Sequence, residues 1–207
     1  MKAHIVFAHP ELNSFNGQLR NIAIQTLESA GWSVSVSDLY QINFKASADR
    51  DDFTELVNTD FFDLQTEQLN ALQKHTYSND IKKEHLLLSA ADLIIFQFPL
   101  WWGSMPGLLK GYIDRVFGMG WAYGGGQALA GKRILVSTTT GAPELAWTED
   151  KRGTIKDNFK HLFIGTFALC GMQTLEPFLV YAAKRLTEEA KTTVIDTFQK
   201  RIVELTK

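Results

Sequence analysis

Three short segments gather most of the polar and aromatic side chains able to do chemistry, and each follows an apolar run. The first, His9 to Asn16 (HPELNSFN), opens onto a helical pattern. Ser14 and Asn16 can direct a hydroxyl and an amide toward a phosphate, while the first N–H groups and the dipole of a helix favour negative charge. His9 can donate one more bond; the same residues can also serve as a plain N-cap and a satisfied loop histidine. The second segment, Pro99 to Gly103 (PLWWG), holds two adjacent tryptophans. Two adjacent indoles at a strand end offer one face to solvent or to a ring ligand, or else serve core packing alone. The third, Thr138 to Pro143 (TTTGAP), is rich in hydroxyls and backbone N–H groups, suited to the polar edge of a heterocycle or to ending a strand. A phosphate grip, an aromatic wall and a polar edge on one crevice suit a flavin.

Other chemistries find less support. Gly-x-Gly-x-x-Gly and the P-loop are absent. His4, His75, His85 and His161 lack the paired spacing of metal ligands, and Asp49, Asp51 and Asp52 lack the Gly and terminal Glu of a calcium loop. No Gly-x-Ser-x-Gly elbow occurs, and Cys170 after an apolar helical run reads as a buried, inert thiol.

The elements that must position the three segments follow from periodicity. Ala3 to Ala8 is a β-rich run cut off at His9-Pro10, and Phe15, Leu19, Ile22 and Ala30 recur at helical spacing, with Ser14 as cap and Gly31 as stop. Ser33 to Asp38 alternates as a strand. Residues 41 to 83 are polar and mixed, a long excursion expected to carry a helix, and Ile81 to Ala91 is helical in pattern. Asp92 to Pro99 is a nearly continuous apolar strand of the kind buried on both faces of a parallel sheet. Ser104 is expected to cap a helix with Pro106 in its first turn and a stripe of Leu108, Leu109, Tyr112, Ile113, Val116 and Phe117. Arg133 to Thr139 is a fourth strand, Asn158 to Leu169 a helix, and a fifth strand falls within Met172 to Val180. Thr187 caps a final amphipathic helix. Alternating strands and helices call for an α/β fold, a flavodoxin-like doubly wound five-stranded parallel sheet with helices on both faces, in one domain over residues 1–207.

Of the 207 residues, 45% are apolar and 21% charged, and 21 basic against 23 acidic residues leave a net charge of −2. A near-neutral chain without a basic block has no electrostatic footprint for nucleic acid or anionic lipid. The longest apolar stretch, Leu86 to Trp102, is interrupted by Asp92, Gln97 and Pro99, so no membrane span is expected. MKAHIVFAHP reads as a strand and not a signal peptide, and one cysteine fits a cytoplasmic protein.

The strings AHPELNSFN at 8–16, SDLY at 37–40, AADLIIFQFPLWWGSMPGLLKGYIDRVF at 90–117, WAY at 121–123, TTG at 139–141 and CGMQTLEP at 170–177 resemble, in order, the NAD(P)H:quinone oxidoreductase (DT-diaphorase-like) family of flavodoxin-fold flavoproteins. The resemblance implies a flavin with its phosphates on His9, Ser14, Phe15 and Asn16. The ring would lie against Pro99, Leu100, Trp101, Trp102, Gly103, Thr139, Thr140 and Gly141. It implies homodimers with shared active sites, the tyrosine matching Tyr123 reaching across. The implied reaction is ping-pong: NAD(P)H reduces the flavin, and a quinone-like acceptor then takes two electrons in the same cavity.

Two departures stand out. The mammalian-type enzymes place a Tyr and a His after the TTG loop to relay charge; here Trp147 stands near the Tyr position and 142–154 contain no His. Backbone N–H groups of Thr140 to Ala142 are the expected substitute, with Lys151 and Arg152 the alternative cations. The chain also lacks that branch's long C-terminal extension. The length of the excursion favours FAD over FMN, with Phe61, Phe62 and Gln65 as candidate adenine contacts, the alternative being a simple helical decoration. GWAYGGGQALAGK at 120–132 resembles ancillary flavoproteins that regulate glutathione-gated potassium efflux systems, so a regulatory subunit is the alternative function. A one-electron carrier is disfavoured, since such carriers are markedly acidic.

Overall fold

The computed structural model describes all 207 residues. Strand β1 (Lys2–Phe7) leads through the first loop to α1 (Phe15–Ser29) and β2 (Ser33–Asp38). Helices α2 (Leu64–Lys74) and α3 (Asn79–Ala90) precede β3 (Leu93–Pro99), α4 (Gly107–Val116) and β4 (Arg133–Thr139). Short helices α5 (Ile155–Asn158) and α6 (Lys160–Leu162) lead to β5 (Gln173–Thr174), β6 (Phe178–Val180) and α7 (Glu188–Leu205). The strand order is β2-β1-β3-β4, with β5 and β6 both paired to β4 at the far edge, and every pairing is parallel. This is the doubly wound sheet expected, with β3 at its centre and all seven of its residues buried.

Alternation along β1 sends successive side chains to two cores. Val6 joins Ile94, Phe96 and Tyr112 on one face, whereas Ile5 joins Leu93, Ile95 and Phe198 on the other. Ser14 caps α1 by accepting from the Gly17 N–H at 3.1 Å, and Gly31 ends it at φ +80°. Thr187 caps α7 in the same way through the Ala190 N–H.

Three local expectations need correction. The fifth strand is split in two, because Pro177 has no N–H to donate to the ladder. The helix expected over 158–169 is broken into α5, α6 and a wider π-type coil over Phe163–Ala168. Ser104 does not cap α4: its backbone N–H and C=O exchange bonds with Trp101 at 3.0 and 2.9 Å, and Pro106 occupies the cap position.

The excursion carries a 3₁₀ turn (Arg50–Asp52) and α2, and it lies across the outer side of α4. Two residues one helical turn apart make that possible. A Cβ on Gly111 would stand 2.0 Å from the Ala46 carbonyl oxygen, so only glycine admits the backbone there. Arg115, 2% exposed, donates through Nε to Asp52 Oδ1 at 2.9 Å and through Nη1 to the Lys45 carbonyl at 3.0 Å, with Asp80 at 2.7 Å. Helix α4 is therefore buried on two sides, by the sheet and by the excursion.

Between β1, β2, α3 and α4 lies a buried polar cluster around Glu84. Ser37 donates to its carboxylate at 2.7 Å and Tyr112 at 2.9 Å, with His4 Nε2 3.6 Å away. Burial pushes the Glu84 carboxyl upward, but these bonds outweigh it and hold the pKa below the ordinary 4.5. A depressed carboxylate stabilises the fold above its unfolded pKa, and that contribution is lost as pH falls through the folded value. Acidification from neutral pH should thus weaken the wild type more than Glu84→Gln in urea unfolding. Equal losses in both proteins would show that Glu84 is not the titrating group.

Candidate flavin site

The register at the carboxyl ends of the strands decides which loops meet. Phe7 is opposite Gln97, Pro99 opposite Thr139, and Thr139 opposite Val180. The loops leaving β1, β3 and β4 therefore emerge side by side, joined by the segment after β6. A cleft of about 700 Å³ opens between them. Its walls are His9, Ser14, Phe15 and Asn16 from the first loop, and Pro99, Leu100 and Trp101 from the second. Thr139, Thr140 and Gly141 complete it from the third. A second cleft of about 820 Å³ continues from the first through the shared Leu100 and Gly141, and takes in Trp102, Gly103 and Trp147.

Tyr123 is elsewhere. Gln65 Nε2 donates to its hydroxyl at 3.1 Å in a separate cavity of about 450 Å³. Within one chain Tyr123 and Trp147 line different cavities. The adenine contacts expected in the excursion are also apart from the first cleft: Phe62 packs on Phe53 with ring centroids 6.1 Å apart, and Gln65 is held by Tyr123. The excursion is turned toward α4 because Arg115 and Gly111 hold it there.

At the end formed by the first loop, unpaired donors converge. The amides of Phe15 and Asn16 have no backbone acceptor, as expected for a first helical turn. Ser14 accepts from Gly17 and retains its own hydroxyl hydrogen, so capping and ligand binding are compatible. A Cβ on Gly17 would lie 1.9 Å from the Leu12 carbonyl oxygen, so the loop can fold back on the helix only with glycine there. His9 Nδ1 is 3.0 Å from both the amide nitrogen and the carbonyl oxygen of Glu11, and burial lowers the His9 pKa.

Asn16 does something different from the direct contact expected. Its Nδ2 donates to Thr139 Oγ1 at 2.8 Å and its Oδ1 accepts from Gln97 Nε2 at 2.8 Å. The buried side chain ties the start of α1 to the ends of β3 and β4. Two cations that sequence reasoning did not single out, Lys184 and Lys191, line this cleft. They arrive because the chain after β6 is pinned to the third loop: the Ala183 N–H donates to Thr140 O at 2.9 Å and the Ala182 N–H to Ala142 O at 3.0 Å. No short motif marks such a long-range contact.

At the other end both tryptophans face outward, not one: Trp101 is partly exposed and Trp102 wholly so, at φ +52°. The paired Trp101 and Ser104 backbone bonds clamp this turn. The Thr140 amide is committed to Val180 O at 2.8 Å, which removes it from the expected charge-stabilising set. Those of Gly141 and Ala142, like those of Trp102 and Gly103, have no backbone acceptor. Trp147 lines the cleft with its indole N–H unpartnered, and the Arg152 guanidinium lies 5.7 Å from its ring centroid. Unpaired amides with Lys184 and the Glu188-bound Lys191 at one end, and aromatic faces with unpaired amides at the other, fit the phosphate and ring of a flavin nucleotide.

The fold and site define a flavodoxin-like protein, and the family model described as having the flavodoxin-like fold matches residues 1–205. Human ribosyldihydronicotinamide dehydrogenase [quinone] is 37% identical, over 97% of this chain and 90% of its own. Rat NAD(P)H dehydrogenase [quinone] 1 is 35% identical, over 97% of this chain and 76% of its own. A crystal structure of a candidate quinone reductase from Klebsiella pneumoniae superposes with a TM-score of 0.94 at 34% identity, covering 99% of this chain and 85% of that one. The chain belongs to the NAD(P)H:quinone oxidoreductase family of flavodoxin-fold proteins.

Proposed function

We propose that this protein is a flavin-dependent oxidoreductase that uses NAD(P)H to reduce quinones by two electrons. The observation that carries this reading is the pair of clefts joined at Leu100 and Gly141, with unpaired donors at both ends. A flavin held there would supply the two-electron hydride chemistry between nicotinamide and quinone. The protein's own part is to hold and screen. Phe15 and Asn16 amides with the Ser14 hydroxyl grip phosphate, and the Gly141 and Ala142 amides stabilise negative charge at the polar edge of the ring. Trp101, Trp102 and Trp147 supply apolar faces that exclude water.

FAD is the form we favour, now on a different ground from the excursion. Lys184, with no carboxylate partner, and Lys191, held by Glu188 at 2.6 Å, give the first cleft two ammonium groups, matched to a diphosphate better than to the single phosphate of FMN. A homodimer is proposed on the exposed apolar residues Val57, Phe61, Ile164 and Leu169, of which Leu169 borders the cavity holding Tyr123. A second subunit covering that face would allow Tyr123 to serve its partner's site. No helix is long and apolar enough to cross a membrane. A reducing cytoplasm suits the lone Cys170, whose thiol burial pushes up to about 11. The relatives are named as dehydrogenases, which favours the enzyme over the regulatory subunit.

The purified protein is expected to be yellow and to give parallel double-reciprocal plots with a benzoquinone and NADH or NADPH. Dihydronicotinamide riboside is the comparison donor. Heat-released flavin should show the mass of FAD. A colourless protein that takes up no added flavin would overturn the enzyme reading, and an FMN mass alone would overturn the choice of FAD.

A further inference from the structure

The second cleft has a charge character that quinone reduction by itself does not require. Eleven residues line it, and none is Asp or Glu. Two are arginines, Arg152 and Arg185, brought from segments far apart in the chain, and neither pairs with a carboxylate. Beside them are the exposed Trp102 indole, Trp147 and the amide of Asn158. The exposed Arg152 guanidinium lies over the Trp147 ring, 5.7 Å from its centroid, at the wall of the cleft. The backbone of Arg185 is set by its N–H, which donates to Ala182 O at 2.7 Å in the turn that the third loop pins, and its exposed side chain lines the cleft from there. An indole face beside two carboxylate-free guanidinium groups recognises a flat apolar ring bearing an anionic substituent.

We propose that Arg152 and Arg185 form an anion subsite at the rim of the second cleft, beside the ring end of the flavin site where an acceptor must approach, so that the preferred acceptors are aromatic quinones carrying a carboxylate or sulfonate. This deepens the quinone-reductase reading and rests on it. In turnover, the quinone ring takes a hydride that originates in NAD(P)H and one proton from solvent, giving the hydroquinone and NAD(P)⁺. The acidic substituent stays ionised throughout and only orients the ring. The other bearer of anionic charge that enters this cleft is the nicotinamide nucleotide, whose extra phosphate in NADPH presents the same chemistry; the test separates the two.

Steady-state kinetics would compare 1,4-naphthoquinone with 1,2-naphthoquinone-4-sulfonate, each with NADH and with NADPH, in the wild type, Arg152→Gln and Arg185→Gln. The expected result is a KM for the sulfonate about tenfold higher in each variant, the scale of one charge-assisted hydrogen bond. The neutral quinone's KM and the NADPH/NADH ratio should hold steady. Calorimetric titration of the purified holoprotein with 2-naphthalenesulfonate should show the same loss without turnover. An unchanged sulfonate-to-neutral ratio together with unchanged sulfonate binding overturns the subsite. A rise confined to the KM of NADPH assigns the arginines to the nucleotide phosphate and overturns it too. Failure to reduce any quinone, with sulfonate binding still lost in the variants, would instead defeat the quinone reading and leave the anion site standing.

Discussion

Ser14→Gly combined with Lys184→Ala should weaken flavin binding by about 10²-fold or more while the apoprotein keeps its fold. Hydrogen bonds to a charged group are worth about 1.5 to 3 kcal/mol each, and the double variant removes one hydroxyl donor and one cation from the same phosphate-sized end of the cleft. Glycine is chosen because Ser14 is also the N-cap of α1, and glycine at an N-cap costs only a few tenths of a kcal/mol. Loss of affinity can then be separated from loss of helix. Equilibrium dialysis of the apoprotein against FAD, with circular dichroism as the fold control, measures both. Retention of wild-type affinity would place the phosphates elsewhere. Asn16→Ala is a different experiment, since it cuts the link among Gln97, Asn16 and Thr139 and should disturb the ring end and the phosphate end together.

The second large effect concerns stability. Arg115→Met should lower the unfolding free energy by about 3 kcal/mol, the lower end of the range for removing one partner of a buried ion pair. It lies at that end because Lys45 remains 2.9 Å from Asp52 and continues to compensate it. For a chain of this size the loss corresponds to a Tm drop of roughly 6 to 12 °C. Arg115→Lys should recover little, since a single ammonium cannot reach Asp52, Asp80 and the Lys45 carbonyl at once. A Tm within about 2 °C of the wild type in the Met variant would show that the excursion is held mainly by apolar packing.

That residue also marks where sequence reading stops. The apolar stripe on α4 shows the face that packs on the sheet, and periodicity locates β1, α1, β3 and α7 with their caps at Ser14 and Thr187. It gives no sign that a polar face of α4 is buried as well. An arginine there looks like any solvated helix charge until Asp52 arrives from 63 residues earlier. The site shows the same division. The three loops are visible because each continues a strand whose pattern is strong, and their adjacency follows from the topology of a parallel sheet. Lys184, Lys191 and Arg185 are invisible because they depend on the return of β6 beside β4 and on a left-handed Ala182 that turns the chain back over the third loop. Thr140 is a subtler case. Its amide belongs to a segment rich in donors, but one that the edge strand had already claimed.

That divided edge strand bears on how molecules of this protein can meet. With two residues in β5, three in β6 and Pro177 between them, the outermost row offers no uninterrupted run of backbone groups to a neighbouring chain. Growth by adding strand to strand is closed at this side, where a long flat edge would template fibres. At this edge, contact with another molecule is left to side chains, whose fit demands a defined orientation.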